Sequence, residues 1–552
     1  MKISRKKIIK RILSFSERGS GRTLFLKRVL PEFLLSVSRM FLSDGFTEKK
    51  HTVSAARTAK SLLLKCGKRA SYLTSGRILL YNRNTRTEER TSMDFCDKMR
   101  EECGVIGMFD LGGGDVGKDL CYGLFALQHR GHMSCGIVTN DDYKLTRIKD
   151  NGHVNDVFDV RAIERLKGKI GLGHVRFTGG ADLQENIQPI TTRYCKGTIS
   201  LAKNGFITNA ETLRTALEDD GAIFQSTRDT EVIMHLIARA RTTCPSAETS
   251  MLEVMESLEG AYSMILMSPK KLMAVRDPRG FRPLCMGRKG SAVVFASESC
   301  ALDAMGAEFE RDIEPGELVC VDMKNGVRSF RDFCGARTSL CMYEYVYFSR
   351  PDSILDGNEV YAFRERSGRL LARACPADAD VVCGVPDGGT VYAQGYANET
   401  GIPLKASVMK NKFSSRNLFT HDAAGRENAI KLKYNVLRQT VAGKRIALVD
   451  DSLMRGDTAR RIVTMLKNAG AKEVHLRIGS PRIIHDCPYG VQMPGEKDLL
   501  AAGGRTNEEM CAYLGCESIG FLPIESLRET ELDGRFTYCT SCLDRKTRLK
   551  MK

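Results

Sequence analysis

Two adjacent acidic residues close an apolar run in the C-terminal half of the chain. Residues 445–461 read RIALVDDSLMRGDTARR, which predicts a strand, a glycine-containing turn and then a helix. Two carboxylates at the carboxyl end of a strand, here Asp450 and Asp451, can hold ribose hydroxyls or Mg²⁺. Backbone N–H groups at the start of the following helix can hold a phosphate. By itself, the pattern is compatible with nucleotide chemistry but does not require it.

A cysteine stands directly before a second apolar run. Cys103 follows the polar stretch MDFCDKMREE and begins the string CGVIGMFD. A cysteine beside an apolar strand is usually a packing residue, but its thiolate is also a strong nucleophile. Four further strings follow it in order: HRGHMSCGI (129–137), GHVRFTGG (173–180), KNGFITN (203–209) and RDTEVI (228–233).

Together these strings resemble the glutaminase domain of the N-terminal-nucleophile amidotransferases. The resemblance runs from Cys103 to about Pro315 and includes LEGAYS and RDPRGFRPL. In that family a leader is removed, so that the cysteine becomes the first residue and its free amine serves as the base. An α-amino group with a pKa near 8 can take up the thiol proton at neutral pH. The resemblance therefore implies that residues 93–102 are a cleaved leader.

The same resemblance implies roles for individual residues. Cys103 is the nucleophile, while the side-chain amide of Asn204 and the backbone N–H of Gly205 stabilise the oxyanion of the tetrahedral intermediate. Arg176 binds the α-carboxylate of glutamine, and Asp229 binds its α-ammonium.

The chain departs from the usual family pattern at the edges of this pocket. His132 and Met133 stand where the family usually has glutamine followed by an acid. Lys203 and Phe206 stand where the family usually has histidine and asparagine around the Asn-Gly pair. The predicted nucleophile, oxyanion donors and carboxylate clamp are all present.

The string LVDDSLMRGDT closely resembles the phosphoribosylpyrophosphate motif of phosphoribosyltransferases. By that resemblance Asp450 and Asp451 bind the ribose and one Mg²⁺ per subunit. The loop that holds the 5-phosphate comprises Ser452, Arg455, Gly456, Asp457 and Thr458. Asp457 is an unusual acid beside a phosphate, and it is tolerated there if it contributes its N–H and points its side chain outward.

Two loops upstream complete the predicted phosphoribosylpyrophosphate site. GVPDGG (384–389) resembles the pyrophosphate loop, with Gly388 and Gly389, although the amidotransferases normally have a hydroxyl residue in place of Gly388. KNKFSSRNLF (410–419) resembles the mobile loop that closes over the pyrophosphate. Its basic residues would neutralise charge that develops on the leaving group; they are Lys410, Lys412 and Arg416.

The order of the two halves indicates one family. Asparagine synthetase, glucosamine-phosphate synthase and glutamate synthase share the first half but carry other second domains. The glutamine phosphoribosylpyrophosphate amidotransferases join it to a phosphoribosyl domain, and the resemblance covers about 103–545, including EYVYFSRPDS (344–353). It implies that glutamine is hydrolysed and its ammonia transferred to phosphoribosylpyrophosphate, giving 5-phosphoribosylamine, pyrophosphate and glutamate. It also implies inhibition by purine nucleotides and a homotetramer.

A C-x-x-C pair, Cys539 and Cys542, lies near the C-terminus. No strand–helix context surrounds it, which argues against a thioredoxin-like motif. One subgroup of the family carries a [4Fe–4S] cluster, whose ligand positions correspond to this pair together with Cys341 and Cys487. Four thiolates suit such a cluster, and their spacing in the sequence suits a zinc site equally. By resemblance we expect one cluster per subunit, which pins the C-terminal tail.

The elements that position these groups fall into two regions. From Cys103 to 336, short runs of Val, Ile and Phe alternate with Gly and Asn turns, which predicts antiparallel sheets, with helices near 117–128, 229–241 and 247–258. From 337 to 552, strand–helix alternation predicts a parallel sheet covered by helices. With the resemblance, we expect an α+β N-terminal-nucleophile glutaminase domain (an αββα sandwich), then an α/β type I phosphoribosyltransferase domain with a C-terminal iron–sulfur tail.

The formal net charge of +17 comes from one end of the chain. Residues 1–92 hold 22 basic and 6 acidic residues, a net charge of +16, and the rest holds 62 and 61, a net charge of +1. Three interpretations compete for this extension: translation upstream of a true start at Met93, an organelle-targeting segment, or a basic arm that touches nucleic acid or acidic surfaces. No motif of either domain falls inside it, so we expect it not to be part of the enzyme.

The composition restricts the cellular compartments and the functions that are compatible with this sequence. The 19 scattered cysteines suit a reducing compartment, and no apolar run reaches the roughly 18 residues that span a bilayer. We expect a cytoplasmic enzyme, or an organellar one if 1–92 is a targeting segment, with no membrane partner. Two alternatives are a phosphoribosyl-fold regulator that binds DNA through the basic arm, and a glutaminase-fold amidotransferase with another acceptor. The glutaminase residues argue against the first, and hence against a nucleic-acid partner, and LVDDSLMRGDT argues against the second.

Overall fold

The chain forms two compact units, Met1–Thr91 and Ser92–Lys552. The computed structural model describes residues 69–72, 78–81, 103–177, 182–411, 432–530 and 536–545. In the first unit, the described residues form an antiparallel pair of strands, β1 (Arg69–Tyr72) and β2 (Ile78–Tyr81). None of the helices in the described ranges has the length and hydropathy that a membrane span requires.

Thirteen strands follow among the described residues between 103 and 330 of the second unit. They are β3 (Cys103–Asp110), β4 (Ser134–Asp141), β5 (Lys144–Asn151), β6 (Ile170–Arg176), β7 (Ile190–Tyr194), β8 (Gly197–Ile207), β9 (Gly260–Met267), β10 (Lys271–Arg276), β11 (Cys285–Lys289), β12 (Ala292–Ala296), β13 (Glu308–Asp312), β14 (Leu318–Asp322) and β15 (Gly326–Phe330). One antiparallel sheet has the order β13-β11-β12-β3-β6-β4-β5, and the other has the order β15-β14-β10-β9-β8-β7.

The two sheets pack face to face because alternate side chains of their strands are apolar on both faces. In β3, Val105 and Phe109 enter the core between the sheets, while Ile106 and Met108 face outward. In β9 of the other sheet, Ile265 enters the same inner core. Period-two alternation of this kind places successive residues on opposite faces.

Helices cover both outer faces. They are α1 (Gly117–Ala126), α2 (Val154–Val157), α3 (Val160–Arg165), α4 (Ala210–Asp219), α5 (Asp229–Ala240), α6 (Ala247–Ser257) and α7 (Ser299–Met305). Helices α1 and α7 pack on the seven-stranded sheet, and α5 and α6 pack on the six-stranded one. This is the αββα sandwich that the sequence predicts. The three predicted helices are confirmed, each ending one or two residues earlier than expected.

The remaining elements begin at residue 340. The strands are β16 (Leu340–Cys341), β17 (Ile354–Leu355), β18 (Asn358–Glu359), β19 (Val381–Gly384), β20 (Val408–Lys410), β21 (Tyr434–Val436), β22 (Arg445–Asp450), β23 (Glu473–Ile478), β24 (Ser518–Phe521) and β25 (Tyr538–Cys539). The helices are α8 (Val360–Ala374), α9 (Gly389–Thr400), α10 (Arg438–Val441), α11 (Asp457–Asn468), α12 (Asn507–Leu514) and α13 (Ser541–Asp544). A π-helical turn, Glu344–Phe348, lies between β16 and β17.

A four-stranded parallel sheet, in the order β19-β22-β23-β24, forms the centre of this region. In β22, Ala447 and Val449 face α8 and α9, whereas Ile446 and Leu448 face α11 and α12. Burial on both faces explains why IALV is continuously apolar rather than alternating. The predicted parallel sheet covered by helices is therefore confirmed.

Candidate functional site

Cys103, the predicted nucleophile, begins the central strand β3 and is almost completely buried. In the antiparallel register it lies opposite Arg176 of β6. Side chains directly opposite each other in such a pair project to the same face of the sheet. The fold therefore brings the predicted nucleophile beside the predicted carboxylate clamp. The predicted leader, 93–102, lies outside the described residues.

Asn204 and Gly205 reach the same end of the sandwich from the other sheet. Asn204 is fully buried in β8, and neither atom of its side-chain amide has a hydrogen-bond partner within the described parts of the chain. Gly205 has φ +110°, and a Cβ at this position would lie 2.0 Å from the carbonyl oxygen of Ala261. A buried unpaired amide costs about 1–3 kcal/mol. Such a cost is typical of a group reserved for a ligand.

Arg176 has a carboxylate neighbour that the sequence did not reveal. Its Nη1 lies 3.5 Å from Oδ2 of Asp182, and Nη2 of Arg228 lies 3.1 Å from Oδ1 of the same residue. Asp182 thus sits between two guanidinium groups and orients them. The sequence did not mark Asp182, because the string GHVRFTGG ends at residue 180.

Asp229 lies at the start of α5, beside the Asn-Gly pair. Its Oδ2 accepts a hydrogen bond of 3.0 Å from the backbone N of Ile207 and lies 3.0 Å from Nζ of Lys203. The same ammonium donates to the carbonyl oxygen of Gly205 at 2.5 Å. The sequence identifies Lys203 only as a departure from the family pattern and does not indicate that it pairs with Asp229.

The departure at His132 is accommodated by packing. The imidazole of His132 is largely buried, with its ring centroid 5.0 Å from that of Phe177 and 5.9 Å from that of His153. The backbone N of Met133 donates to the carbonyl oxygen of Arg176 at 2.9 Å. These two residues therefore support the strand end that carries the predicted clamp.

The two predicted sugar-binding acids lie at the carboxyl edge of the parallel sheet. Asp450 ends β22, and both Asp450 and Asp451 are buried. Oδ1 of Asp450 accepts from the backbone N of Asp451 at 2.9 Å, and Oδ1 of Asp451 accepts from the hydroxyl of Ser452 at 2.6 Å. The loop turns into α11 through Gly456, which has φ +87°. The predicted strand, glycine turn and helix are confirmed.

The predicted 5-phosphate loop surrounds the N-terminus of α11. Arg455 and Asp457 line an open groove that also contains Lys497, Arg505 and Tyr513. Asp457 is exposed, and its Oδ1 accepts from the hydroxyl of Tyr513 at 3.2 Å. Asp457 is thus exposed within this groove, and its place beside a phosphate stays a prediction. Thr458 follows it in the first turn of α11.

The GVPDGG loop lies against Asp451. A Cβ on Gly388 would lie 1.7 Å from Oδ2 of Asp451, and one on Gly389 would lie 2.3 Å from the carbonyl oxygen of Val449. The Asp451 carboxylate therefore occupies the space of any side chain at 388, which gives a physical reason for glycine there. Nζ of Lys410 contacts Asp387 in the same loop. Lys412 and Arg416 lie outside the described residues.

The four predicted cluster ligands line a single buried cavity. Cys341 and Cys539 are register partners in the parallel pair β16–β25, and Cys487 and Cys542 complete the set. Burial raises the pKa of the Cys539 thiol to about 11 and raises those of Cys341 and Cys542 further. The remaining lining is largely apolar or aromatic; it comprises Ala261, Phe281, Arg282, Tyr343, Tyr489, Val491 and Ser541.

Another group of side chains that could bind a metal ion lies in the glutaminase half of the chain. Glu248, Cys320 and Asp322 have ligand atoms within 4.8 Å of one another and are buried. Both carboxylates are already bound by cationic side chains, because Lys271 lies 2.7 Å from Glu248 and Arg328 contacts both acids. We interpret this group as an ion-pair network in which those cations fill the place of a metal ion.

One buried arginine joins Cys103, the predicted nucleophile, to the second half of the chain. Nε of Arg130 donates to the carbonyl oxygen of Cys103 at 3.1 Å. Its Nη1 donates to Glu298 at 2.5 Å, and its Nη2 donates to both carboxylate oxygens of Glu344 at 2.9 Å. Glu344 begins the π-helical turn of EYVYF. The strings HRG and EYVYF therefore meet, although nothing in the sequence indicated that they would.

The Glu298 carboxylate also contacts polar groups from both halves of the chain. Its carboxylate lies 2.7 Å from Nε2 of His129 and accepts from the Ser353 hydroxyl at 2.7 Å and the Arg350 backbone N at 2.9 Å. Burial by itself raises its pKa, but the charges of His129 and Arg130 together with these hydrogen bonds hold the pKa of Glu298 well below its usual range. A second buried pair, Arg276 with Asp356, is bidentate at 2.6 and 2.9 Å.

Comparison with known proteins identifies the family. The model of the glutamine amidotransferase domain matches residues 174–304, and that of the phosphoribosyl transferase domain matches residues 360–478. The amidophosphoribosyltransferase of Methanocaldococcus jannaschii is 42% identical over 461 residues, which cover 80% of this chain and 97% of that protein. The chain belongs to the amidophosphoribosyltransferase family. This amidophosphoribosyltransferase catalyses the first step of purine biosynthesis, in which glutamine nitrogen is transferred to phosphoribosylpyrophosphate.

Another relative and a solved structure agree. The chloroplastic amidophosphoribosyltransferase 2 of Arabidopsis thaliana is 41% identical over 453 residues, covering 81% of this chain and 80% of that protein. The glutamine phosphoribosylpyrophosphate amidotransferase of B. subtilis, solved in complex with ADP and GMP, matches with a TM-score of 0.74 and 39% identity. That match covers 80% of this chain and 97% of the other. The predicted fold class of both domains is therefore confirmed.

The Glu298 network yields a stability prediction. We expect Glu298→Gln to lower the free energy of unfolding by about 3–5 kcal/mol at pH 7, because the variant leaves the Arg130 guanidinium partly uncompensated in the interior. The wild-type carboxyl has a depressed pKa when folded, so its contribution is present above its unfolded pKa and is lost as the pH falls. The difference between the two proteins should therefore shrink below about pH 4.

Urea denaturation at several pH values measures this difference. Glu310→Gln is a matched control, because Glu310 forms a half-exposed pair with Arg288 at 2.8 Å, and such pairs contribute about 0–1 kcal/mol. Equal losses in the two variants, or a loss from Glu298→Gln that does not change with pH, would contradict the account of this network.

Proposed function

We propose that Cys103 carries the glutaminase half-reaction of this amidophosphoribosyltransferase. Once the leader is removed, the free α-amine of Cys103 takes the thiol proton, and Sγ attacks the amide carbon of glutamine. The Asn204 amide and the Gly205 N–H donate to the oxyanion, and the amine returns the proton as the C–N bond breaks and ammonia leaves. Water then hydrolyses the thioester to glutamate. The unpaired buried amide of Asn204 is the observation that carries this proposal.

Two charged residues would hold the rest of the glutamine molecule. Arg176, opposite Cys103 in the strand register, would bind the α-carboxylate. Asp229 would bind the α-ammonium, which its position beside the Asn204–Gly205 pair in β8 supports. Both ends of the substrate are then fixed while the amide faces the nucleophile.

The released ammonia would react in the second domain. Its nitrogen forms a bond to C1 of phosphoribosylpyrophosphate while the bond from C1 to the pyrophosphate oxygen breaks. Asp450 and Asp451 would hold the ribose hydroxyls and one Mg²⁺ per subunit, and two buried carboxylates fit the oxygen ligands that Mg²⁺ prefers. When bound, this ion would neutralise charge on the pyrophosphate.

Two loops would hold the phosphates. The 5-phosphate would lie in the loop at the start of α11, where backbone N–H groups and the positive end of the helix favour an anion; its residues are Ser452, Arg455, Gly456, Asp457 and Thr458. The pyrophosphate would lie against the loop of Gly388 and Gly389, which packs directly on the Asp451 carboxylate and the end of β22. Lys410, which already contacts this loop, would neutralise the leaving group with Lys412 and Arg416.

For the cysteine cavity we propose one [4Fe–4S] cluster per subunit, held by Cys341, Cys487, Cys539 and Cys542. In a tetrahedral zinc site with Zn–S bonds of about 2.3 Å, the sulfurs lie about 3.8 Å apart. No three of these four described cysteines have sulfurs within 4.8 Å of one another. The wider spacing around a largely apolar cavity supports the larger group. Bound there, the cluster would tie α13 and β25 to the domain.

The remaining proposals concern the whole enzyme. We infer domains at 103–336 and 337–552 after a cleaved leader at 93–102, with 1–92 outside the active enzyme. We propose inhibition by purine nucleotides, which the B. subtilis protein solved with ADP and GMP supports.

The proposal that the enzyme is a homotetramer is based on the family resemblance. We propose a cytoplasmic location, or an organelle if 1–92 is a targeting segment, which the chloroplastic relative in Arabidopsis thaliana keeps open.

A comparison of glutamine and ammonia as nitrogen sources tests whether Cys103 is the nucleophile. Cys103→Ala should abolish synthesis of phosphoribosylamine from glutamine but spare synthesis from ammonia at high pH, because only the first half-reaction needs the thiolate. Cys121→Ala, which removes a buried packing cysteine, is the control and should retain both activities. A Cys103→Ala enzyme that still uses glutamine would end the assignment.

Metal analysis tests the cluster. Purified without air, the protein should be brown and contain about four iron and four sulfide per chain. Cys487→Ser should lose the iron and much of its solubility because the tail loses its anchor, whereas Cys375→Ser, outside the cavity, should retain both. Stoichiometric zinc with no iron would show that the proposed [4Fe–4S] cluster is wrong and that the cysteines bind zinc.

The mature N-terminus tests the leader. A chain that begins at Met93 should mature to Cys103 and show full activity, since a peptide-bonded nitrogen cannot accept the thiol proton. Its binding to heparin should be weak and should lack the salt dependence that basic contacts confer. Edman sequencing of active enzyme from native cells gives the complementary measurement, and retention of residues 1–92 there would contradict the processed-cysteine mechanism.

A further inference from the structure

A buried lysine ammonium lies against the carboxylate that we propose binds the α-ammonium of glutamine. Nζ of Lys203 lies 3.0 Å from Oδ2 of Asp229 and donates to the carbonyl oxygen of Gly205 at 2.5 Å. Only 2% of the Lys203 side chain is exposed, against 16% for Asp229. The carboxylate proposed to recognise the α-ammonium of glutamine is therefore paired within the protein before any substrate arrives.

The fold holds this lysine firmly. Lys203 and Gly205 are two residues apart in β8, so they share a face of the strand. The backbone N of Lys203 donates to Oε1 of Gln188 at 2.8 Å, and its carbonyl oxygen lies 3.2 Å from Nε2 of His174. The backbone of Lys203 is thus held on both sides, and its buried ammonium is held by Asp229 and the carbonyl oxygen of Gly205.

A second ammonium at the same carboxylate carries a cost. Oδ2 of Asp229 already accepts from Ile207 and lies beside Nζ of Lys203. An incoming α-ammonium must share this carboxylate with Lys203, and two like charges in a largely desolvated site repel each other more strongly than they would in water. Part of the attraction that Asp229 offers to glutamine is thus cancelled.

We propose that Lys203 competes with the α-ammonium of glutamine for Asp229, and that it thereby raises the KM for glutamine and weakens selection for substrates that carry this group. The inference rests on the proposed role of Asp229. The chemical class it concerns is that of ω-amides with a free α-carboxylate. Lys203 partly neutralises Asp229. An amide that lacks the α-ammonium therefore loses less binding free energy, relative to glutamine, than it would lose if Asp229 were unpaired.

The test is steady-state glutaminase kinetics of Lys203→Met, which keeps the length of the side chain and removes its charge. We expect the KM for glutamine to fall at least about tenfold while kcat changes by less than about twofold, as for loss of one neighbouring like charge. Glutaramate, which has the same amide and carboxylate but no α-ammonium, is the second substrate. The ratio of kcat/KM for glutamine to that for glutaramate should rise by a similar factor.

Lys271→Met is the matched control. Lys271 is also a partly buried lysine paired with a carboxylate, 2.7 Å from Glu248 in the same domain, and its loss should leave both KM values unchanged. Ammonia-dependent synthesis, which does not use the glutamine pocket, reports correct folding of each variant. If Lys203→Met does not fold by this criterion, Lys203→Gln makes the same test with a polar neutral side chain.

The outcomes separate this inference from the role of Asp229. If Asp229→Asn raises the KM for glutamine but Lys203→Met leaves it unchanged or raises it, the inference is overturned and the role of Asp229 stands. An unchanged substrate ratio in Lys203→Met overturns it as well. If Asp229→Asn leaves the KM for glutamine unchanged even with Met at position 203, the proposed role of Asp229 is itself wrong.

Discussion

The Arg130 guanidinium sits where the two halves of this enzyme meet, and most of the catalytic geometry depends on how its charge is balanced. Its three nitrogens contact the carbonyl oxygen of Cys103 and the carboxylates of Glu298 and Glu344. A buried charge that loses a partner is strongly destabilising. The glutaminase half cannot move away from the EYVYF turn without separating these charged groups, so the position of Cys103, the proposed nucleophile, is tied to the second domain.

The cysteine cavity extends the same junction. The rings of Phe281 and Tyr489 lie 4.3 Å apart, which brings the loop of Cys487 against the glutaminase domain. A Cβ on Gly490 would lie 2.2 Å from the Cβ of Phe206, so glycine permits this close approach. Phe206 directly follows the Asn204–Gly205 pair. The Asn204–Gly205 pair, the cavity and the C-terminal tail thus form one continuous packed region, which suits a structural rather than a catalytic role for the proposed cluster.

Local patterns in the sequence predicted the helices and strands well. They did not predict which side chains from distant parts of the chain contact each other. Alternating and continuous apolar runs predicted both sheet types, and the motif loops lie at the ends of the expected strands. The partners of Arg130 and the contact of Lys203 with Asp229 depend instead on strand register and domain packing, which no single string contains. The reason for Gly388 likewise emerges only because Asp451 fills the space beside it. The roles of Lys412 and Arg416 stay predictions, since those residues lie outside the described ranges.

The enzyme couples glutamine hydrolysis to pyrophosphate release, and the most direct test of this coupling is the joint stoichiometry of glutamate and pyrophosphate. With glutamine and phosphoribosylpyrophosphate as substrates, the enzyme should form both products in equal amounts. Pyrophosphate should not be released when both glutamine and ammonia are withheld. Pyrophosphate release that continues without any nitrogen donor, or glutamate formation that yields no pyrophosphate under these conditions, would contradict the account.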